Sequence, residues 1–282
     1  MNGKRAVLFL LVLFMSLPLH SASGDRVISI AHNESSWGIL EGQNGDYFLL
    51  TVRDGAITSP RGLNLTGEPC GLVWNGSEWL IETFVPDRVI VQTPNGSPLF
   101  GIHSYDCRGF AYLNGSYYIP ISESAMMGDC SLLQVSQNGS VEKTIPCGFI
   151  NGVKVKVRDG KLYLMNATGI YVYSSGTFRR VLQLENCAED FDVLEGKILL
   201  CSNGLIEHSK NDTKEITDSC DAIDCNGREC LIVSNGTLYI YDGNLSALED
   251  GRNTRNIDLK TIAVGLFLIF LAVWFLRRKK SA

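Results

Sequence analysis

The chain is short of what most enzymes and most flexible proteins contain. Proline is scarce, 8 residues against 28 glycines in 282, a balance that suits tight turns rather than disorder. There are only four histidines, His20, His32, His103 and His208, scattered singly along the chain. No Gly-x-Ser-x-Gly elbow, His-Glu-x-x-His helix or phosphate-cradling Gly-Lys-Ser/Thr loop is present, so the common hydrolase, metalloprotease and nucleotide motifs find no support. Basic charge is also thin where it matters. Residues 24–258 hold 18 basic against 30 acidic side chains, a net of −12, and such a surface repels phosphate backbones. Nucleic acid is therefore an unsuitable partner.

The two ends carry what the middle lacks. Lys4-Arg5 precedes the apolar run 6–14, Pro18 breaks it, and Ser21 and Ser23 sit at −3 and −1 of a cut before Gly24. This is the layout of a secretory signal peptide over residues 1–23. Near the other end, TIAVGLFLIFLAVWFL (261–276) is uncharged and followed at once by Arg277-Arg278-Lys279-Lys280. Its sixteen residues would rise about 24 Å as a helix, and Lys260 and Arg277 can extend the span by snorkelling. A transmembrane helix over 259–276 with a cytoplasmic tail at 277–282 follows, which puts the bulk of the chain outside the cell. The polar connector 245–258 reads as a stalk.

Ten of the 18 asparagines are followed two residues later by Ser or Thr, where chance gives about 2.4. Asn-Gly-Ser is also good hairpin-turn chemistry, which covers Asn75, Asn95, Asn114, Asn138 and Asn235 but not the others. The glycan acceptors expected on exposed turns are Asn33, Asn64, Asn75, Asn114, Asn138, Asn166, Asn211, Asn235 and Asn244; Asn95 is set aside because Pro98 follows its Ser97.

Between the ends the chain repeats itself. The stretch 70–100, CGLVWNGSEWLIETFVPDRVIVQTPNGSPLF, reads as four short strands with Asn-Gly turns after the first and third. Cys70, Cys107, Cys147, Cys187 and Cys220 open successive units at intervals of 37, 40, 40 and 33 residues, a period typical of propellers and solenoids. A degenerate unit occupies 35–69. The last, 220–244, supplies only AIDC, ECLIV and LYIYD, while RVISIA (26–31) stands alone at the start. Placing RVISIA beside LYIYD would complete six units and leave no open sheet edge.

The repeat GLVWNGSEWLIETF…DRVIVQTPNGSPLF resembles those of NHL, lactonase and related six-bladed β-propellers. The resemblance implies an all-β six-bladed propeller over 24–244, here closed by the N-terminal strand, and it implies no activity. It also implies where a metal would sit. Lactonase-like propellers keep Ca²⁺ in the central channel, which in this chain would fall to Glu189, Asp190, Asp192, Asp221 and Asp224. The early units offer only Glu41 and Glu68 in support, so these carboxylates are read as solubilising charge, with no metal, cofactor or catalytic residue assigned.

All nine cysteines lie in the exported part, where disulfides persist. Cys225 and Cys230 bracket a turn and are expected to pair. Cys187 with Cys201, on successive strands of one unit, is a second expected pair, and Cys107 with Cys130 a third. The unit-opening cysteines are expected to stand too far apart for bridging. A metal at Cys220, Cys225 and Cys230 fits no zinc spacing. The functional expectation is a single-pass cell-surface glycoprotein, not an enzyme, whose ectodomain binds or scaffolds an extracellular protein or glycan. The alternatives are an exported Ca²⁺-dependent lactonase-type hydrolase and an accessory ectodomain of a larger membrane complex.

Overall fold

A computed structural model describes residues 26–123, 129–149, 153–210 and 212–248. The expected signal peptide, transmembrane segment, cytoplasmic tail and Asn211 lie outside the described residues. Among the described residues there are strands and no helix long and apolar enough to cross a membrane.

The strands form six antiparallel sheets, each built from consecutive segments. Blade 1 is β1 (Arg26–His32), β2 (Trp37–Gln43), β3 (Asp46–Arg53) and an outer edge broken into β4 (Ala56–Ile57) and β5 (Arg61–Gly62). Blade 2 is β6 (Glu68–Trp74), β7 (Trp79–Val85), β8 (Arg88–Gln92) and β9 (Pro98–His103). Blade 3 is β10 (Ala111–Leu113), β11 (Ser116–Ser122), β12 (Asp129–Ser136) and β13 (Val141–Phe149). Blade 4 is β14 (Lys154–Arg158), β15 (Lys161–Asn166), β16 (Gly169–Ser174) and β17 (Thr177–Gln183). Blade 5 is β18 (Asp190–Leu194), β19 (Lys197–Ser202), β20 (Gly204–His208) and β21 (Thr213–Thr217). Blade 6 is β22 (Ala222–Cys225), β23 (Cys230–Ser234), β24 (Thr237–Tyr241) and β25 (Leu245–Ala247). The first strands touch in a ring, β1 against β6 and β22, β10 against β6 and β14, β18 against β14 and β22. The fold is a six-bladed β-propeller.

The closure differs from the one expected. RVISIA does not lie beside LYIYD. It is the inner strand of blade 1, paired with β2 so that Ile30 faces Ile39 and both are buried. Blade 6 finds its fourth strand in Leu245–Ala247, inside the segment expected to be stalk. A turn at 242–244, with Gly243 at φ +110°, reverses the chain so that Leu245 packs against the core shared by blades 5 and 6. Three residues with little hydrophobic pattern suffice because only one of them is drawn inward.

Local chemistry explains the hairpins. At Asn44-Gly45 both residues have positive φ, 52° and 89°, the type I′ geometry that Asn-Gly adopts at least cost. Asn75-Gly76 behaves otherwise: only Gly76 is left-handed, and the Asn75 Oδ1 accepts bonds from the Ser77 and Glu78 amides across a four-residue loop. Between blades, alternate strand residues form apolar wedges, such as Ala31, Leu40, Leu72 and Ile81 between blades 1 and 2.

The disulfides join Cys70 to Cys107, Cys130 to Cys147, Cys201 to Cys220 and Cys225 to Cys230. The expected Cys187–Cys201 pair does not form. Cys187 is exposed in the connection before β18, while Cys201 is buried in the wedge facing blade 6, where it meets Cys220. Nor does Cys107 pair with Cys130. It reaches Cys70 of the preceding blade, with Cα atoms 6.0 Å apart, so two unit-opening cysteines are close enough to bridge. The approach is permitted by Gly71 and Gly109, whose backbones pack together. A Cβ on Gly71 would stand 2.7 Å from the Gly109 Cα. Gly71→Ala should therefore cost roughly 1–3 kcal/mol in urea unfolding, while Gly62→Ala, with open space around it, should be near neutral. Equal midpoints for the two would contradict this packing.

Candidate functional site: the central channel

Because side chains alternate along a strand, every second residue of an inner strand points to the axis. In β14 these are Lys154, Lys156 and Arg158; in β18, Asp190 and Asp192; in β22, Asp224; in β1, His32. They form one network. The Arg158 guanidinium donates to both Asp192 and Asp224. His32 Nδ1 lies 2.6 Å from Asp224 Oδ2. The Lys156 ammonium donates to the Ile223 carbonyl at 2.8 Å and stands 3.7 Å from both Asp190 and Asp224. Backbone amides complete the set. Asp190 accepts from Phe191 and Ile223, and Asp192 from Val193 and Cys225. All six carboxylate oxygens are thus engaged, as buried charge requires.

Burial pushes the Asp224 carboxyl up, but Arg158, His32 and Lys156 outweigh it and hold it well below the usual carboxylate range. Lys156 moves up from its ordinary value: burial disfavours its charge, and Asp190 and Asp224 more than restore it.

Three of the five suspected carboxylates do meet at the channel, whereas Glu189 and Asp221 remain exposed. The donor set does not fit Ca²⁺. A calcium ion needs six to eight free oxygens, and here the oxygens already serve a guanidinium, an ammonium, an imidazole and four amides. The cations were the residues that sequence reasoning missed. Their signal was the alternation Lys-Val-Lys-Val-Arg in 154–158, in the same inner-strand position as Asp-Phe-Asp in 190–192. His32, one of the singly scattered histidines, belongs to this network. Of the others, His103 stacks edge-on against Tyr105 at 4.9 Å, and His208 faces Thr213 across outer strands.

Another buried carboxyl lies outside the channel, between blades 2 and 3. Glu82 is fully buried, its Oε1 has no hydrogen-bond partner, and its Oε2 lies 3.9 Å from Cys70 Sγ. Burial pushes its pKa up to about 8, against smaller lowering by the Gly109 amide and Lys154. Cys70, Glu82 and Cys107 cluster tightly enough for a metal, but the two sulfurs are spent on each other. The cavity along the axis, about 1080 Å³, runs from His32 and Asn226 at one end to Arg108 and Lys154 at the other, with Trp74 and Tyr112 in its wall.

The fold has known counterparts. The β-propeller domain of the Trilobed protease from Pyrococcus furiosus, described as having an open velcro topology, superposes with a TM-score of 0.54 at 8% identity, covering 84% of this chain and 99% of that one. The acylaminoacyl peptidase of Pyrococcus horikoshii aligns with a TM-score of 0.52 at 9% identity, over 82% of this chain and 47% of the peptidase. The extracellular domain of the putative one component system BT4673 from B. thetaiotaomicron gives 0.50 at 10% identity, over 76% of this chain and 32% of that one. At such identities the likeness is one of fold. No family model and no curated protein matches the sequence.

Two pH dependences of opposite sign follow. A depressed carboxyl stabilises above its unfolded value and loses that contribution as pH falls, so stability should drop below about pH 4, and Asp224→Asn should remove part of that drop. A raised carboxyl acts the other way. Glu82 favours the fold most at low pH and loses this between about pH 4 and its folded value, so Glu82→Gln should raise stability at pH 8 and flatten the alkaline slope. Urea midpoints of the three proteins across pH 3–9 test both.

Proposed function

We propose that this chain is a single-pass cell-surface glycoprotein whose propeller is a binding or scaffold module for an extracellular protein or glycan. One observation carries the reading. The channel carboxylates that would hold a metal are consumed by the protein's own cations and amides, so the axis is built as a structural tie and the faces remain for contact. Four disulfides support an oxidising compartment. The signal-peptide pattern, the apolar run 261–276 and its basic flank support an N-terminal ectodomain outside and a membrane anchor.

The test is isolation of the tagged full chain from detergent-solubilised membranes of a host that makes it, after mild crosslinking. The expected result is recovery in the membrane fraction, sensitivity of the propeller to protease added to intact cells, and a partner at near-stoichiometric amount. Recovery in the cytosol with reduced cysteines would overturn the reading.

A further inference from the structure

The turns of a propeller are sorted by topology. In an antiparallel sheet of four consecutive strands, the first and third turns lie at one end, and the second turn and the connection to the next blade at the other. His32, Arg158 and Asp224, each at or next to the end of its inner strand, meet in the channel, so these strands run the same way and their turns share faces.

The sequons are sorted too. Asn33, Asn75 and Asn114 lie in first turns, and Asn95, Asn138 and Asn244 in third turns. Asn64, in the connection from blade 1 to blade 2, follows Leu63, whose amide donates to the Tyr47 carbonyl beside the second turn of blade 1, while its own carbonyl lies against Gly96 in the third turn of blade 2. Six of the nine described sequon asparagines therefore lie on one face, and Asn64 lies between the two faces. The two second-turn asparagines differ in chemistry as well as place. Asn166 is 8% exposed and spends its Nδ2 on the Cys147 carbonyl. Asn235 spends its Nδ2 on Ser219 Oγ. Nδ2 is the atom that a glycan would take. At Asn33, Asn75 and Asn138 the turn is instead held by Oδ1, which accepts from following amides and hydroxyls and survives glycosylation unchanged.

We infer that the propeller carries its N-linked carbohydrate on one face, that of the first and third turns, and keeps the second-turn face bare. β1 starts and β25 ends at that bare face, so the described chain enters and leaves where no bulky modification stands. The inference rests on the cell-surface glycoprotein reading.

The experiment is site-resolved glycopeptide mass spectrometry on the folded full chain, made in an N-glycosylating archaeal or eukaryotic host. Carbohydrate is expected at Asn75, Asn114, Asn138 and Asn244, none at Asn166, and at least roughly tenfold lower occupancy at Asn235. Occupancy at Asn166 or Asn235 comparable with that at Asn114 would overturn the one-faced coat while leaving the glycoprotein reading standing. Absence of carbohydrate from every sequon would overturn both.

Discussion

The ring depends on a contact between its two ends, from the half-buried His32 of blade 1 to the buried Asp224 of blade 6. A propeller must hold its last blade to its first, and many do so by sharing a strand. Among the described residues no strand is shared, and none of the four disulfides crosses that seam. Asp224 is instead the meeting point of Arg158, Lys156 and His32, and through Arg158 and Asp192 it links the inner strands of blades 4, 5, 6 and 1 in sequence. Removing one member of such a network leaves a buried charge uncompensated, at a cost of about 3–5 kcal/mol, which is a large share of a domain's net stability.

The other seams use different means. Carboxylates of β18 satisfy the unpaired amides of β22, and the Ser29 hydroxyl accepts from the Leu72 amide between blades 1 and 2. Blades 2 and 3 are joined by Cys70–Cys107 over the Gly71–Gly109 contact, and blades 5 and 6 by Cys201–Cys220. Inner-strand edges expose backbone donors that cannot pair in a ladder across the channel, so each needs a side chain or water as its partner. This explains why polar residues at alternate inner-strand positions coexist with apolar residues pointing into the wedges.

The sequence displayed the blades and hid the closure. Asn-Gly, Asp-Gly and cysteine periodicity mark turns and units because those residues act locally. Strand exchange is a long-range choice that turns on which of two apolar partners, β2 or β24, RVISIA meets, and its side-chain pattern suits either. The same limit applied to the channel. Asp190, Asp192 and Asp224 were visible as a concentration of acid, but a carboxylate cluster looks the same in sequence whether it awaits Ca²⁺ or already holds Arg158 and Lys156. Cys225–Cys230 was legible because a hairpin places the two opposite each other. Cys201–Cys220 was not, because it depends on how adjacent sheets face one another.

The most direct measurement is a double-mutant cycle on the seam, with His32→Ala, Asp224→Ala and the pair compared by urea unfolding at pH 6. A closure that depends on their contact predicts a coupling of about 1–3 kcal/mol, the double variant being less destabilised than the sum of the singles. Additive effects would contradict it, and would mean that the ring is held shut by something other than this pair.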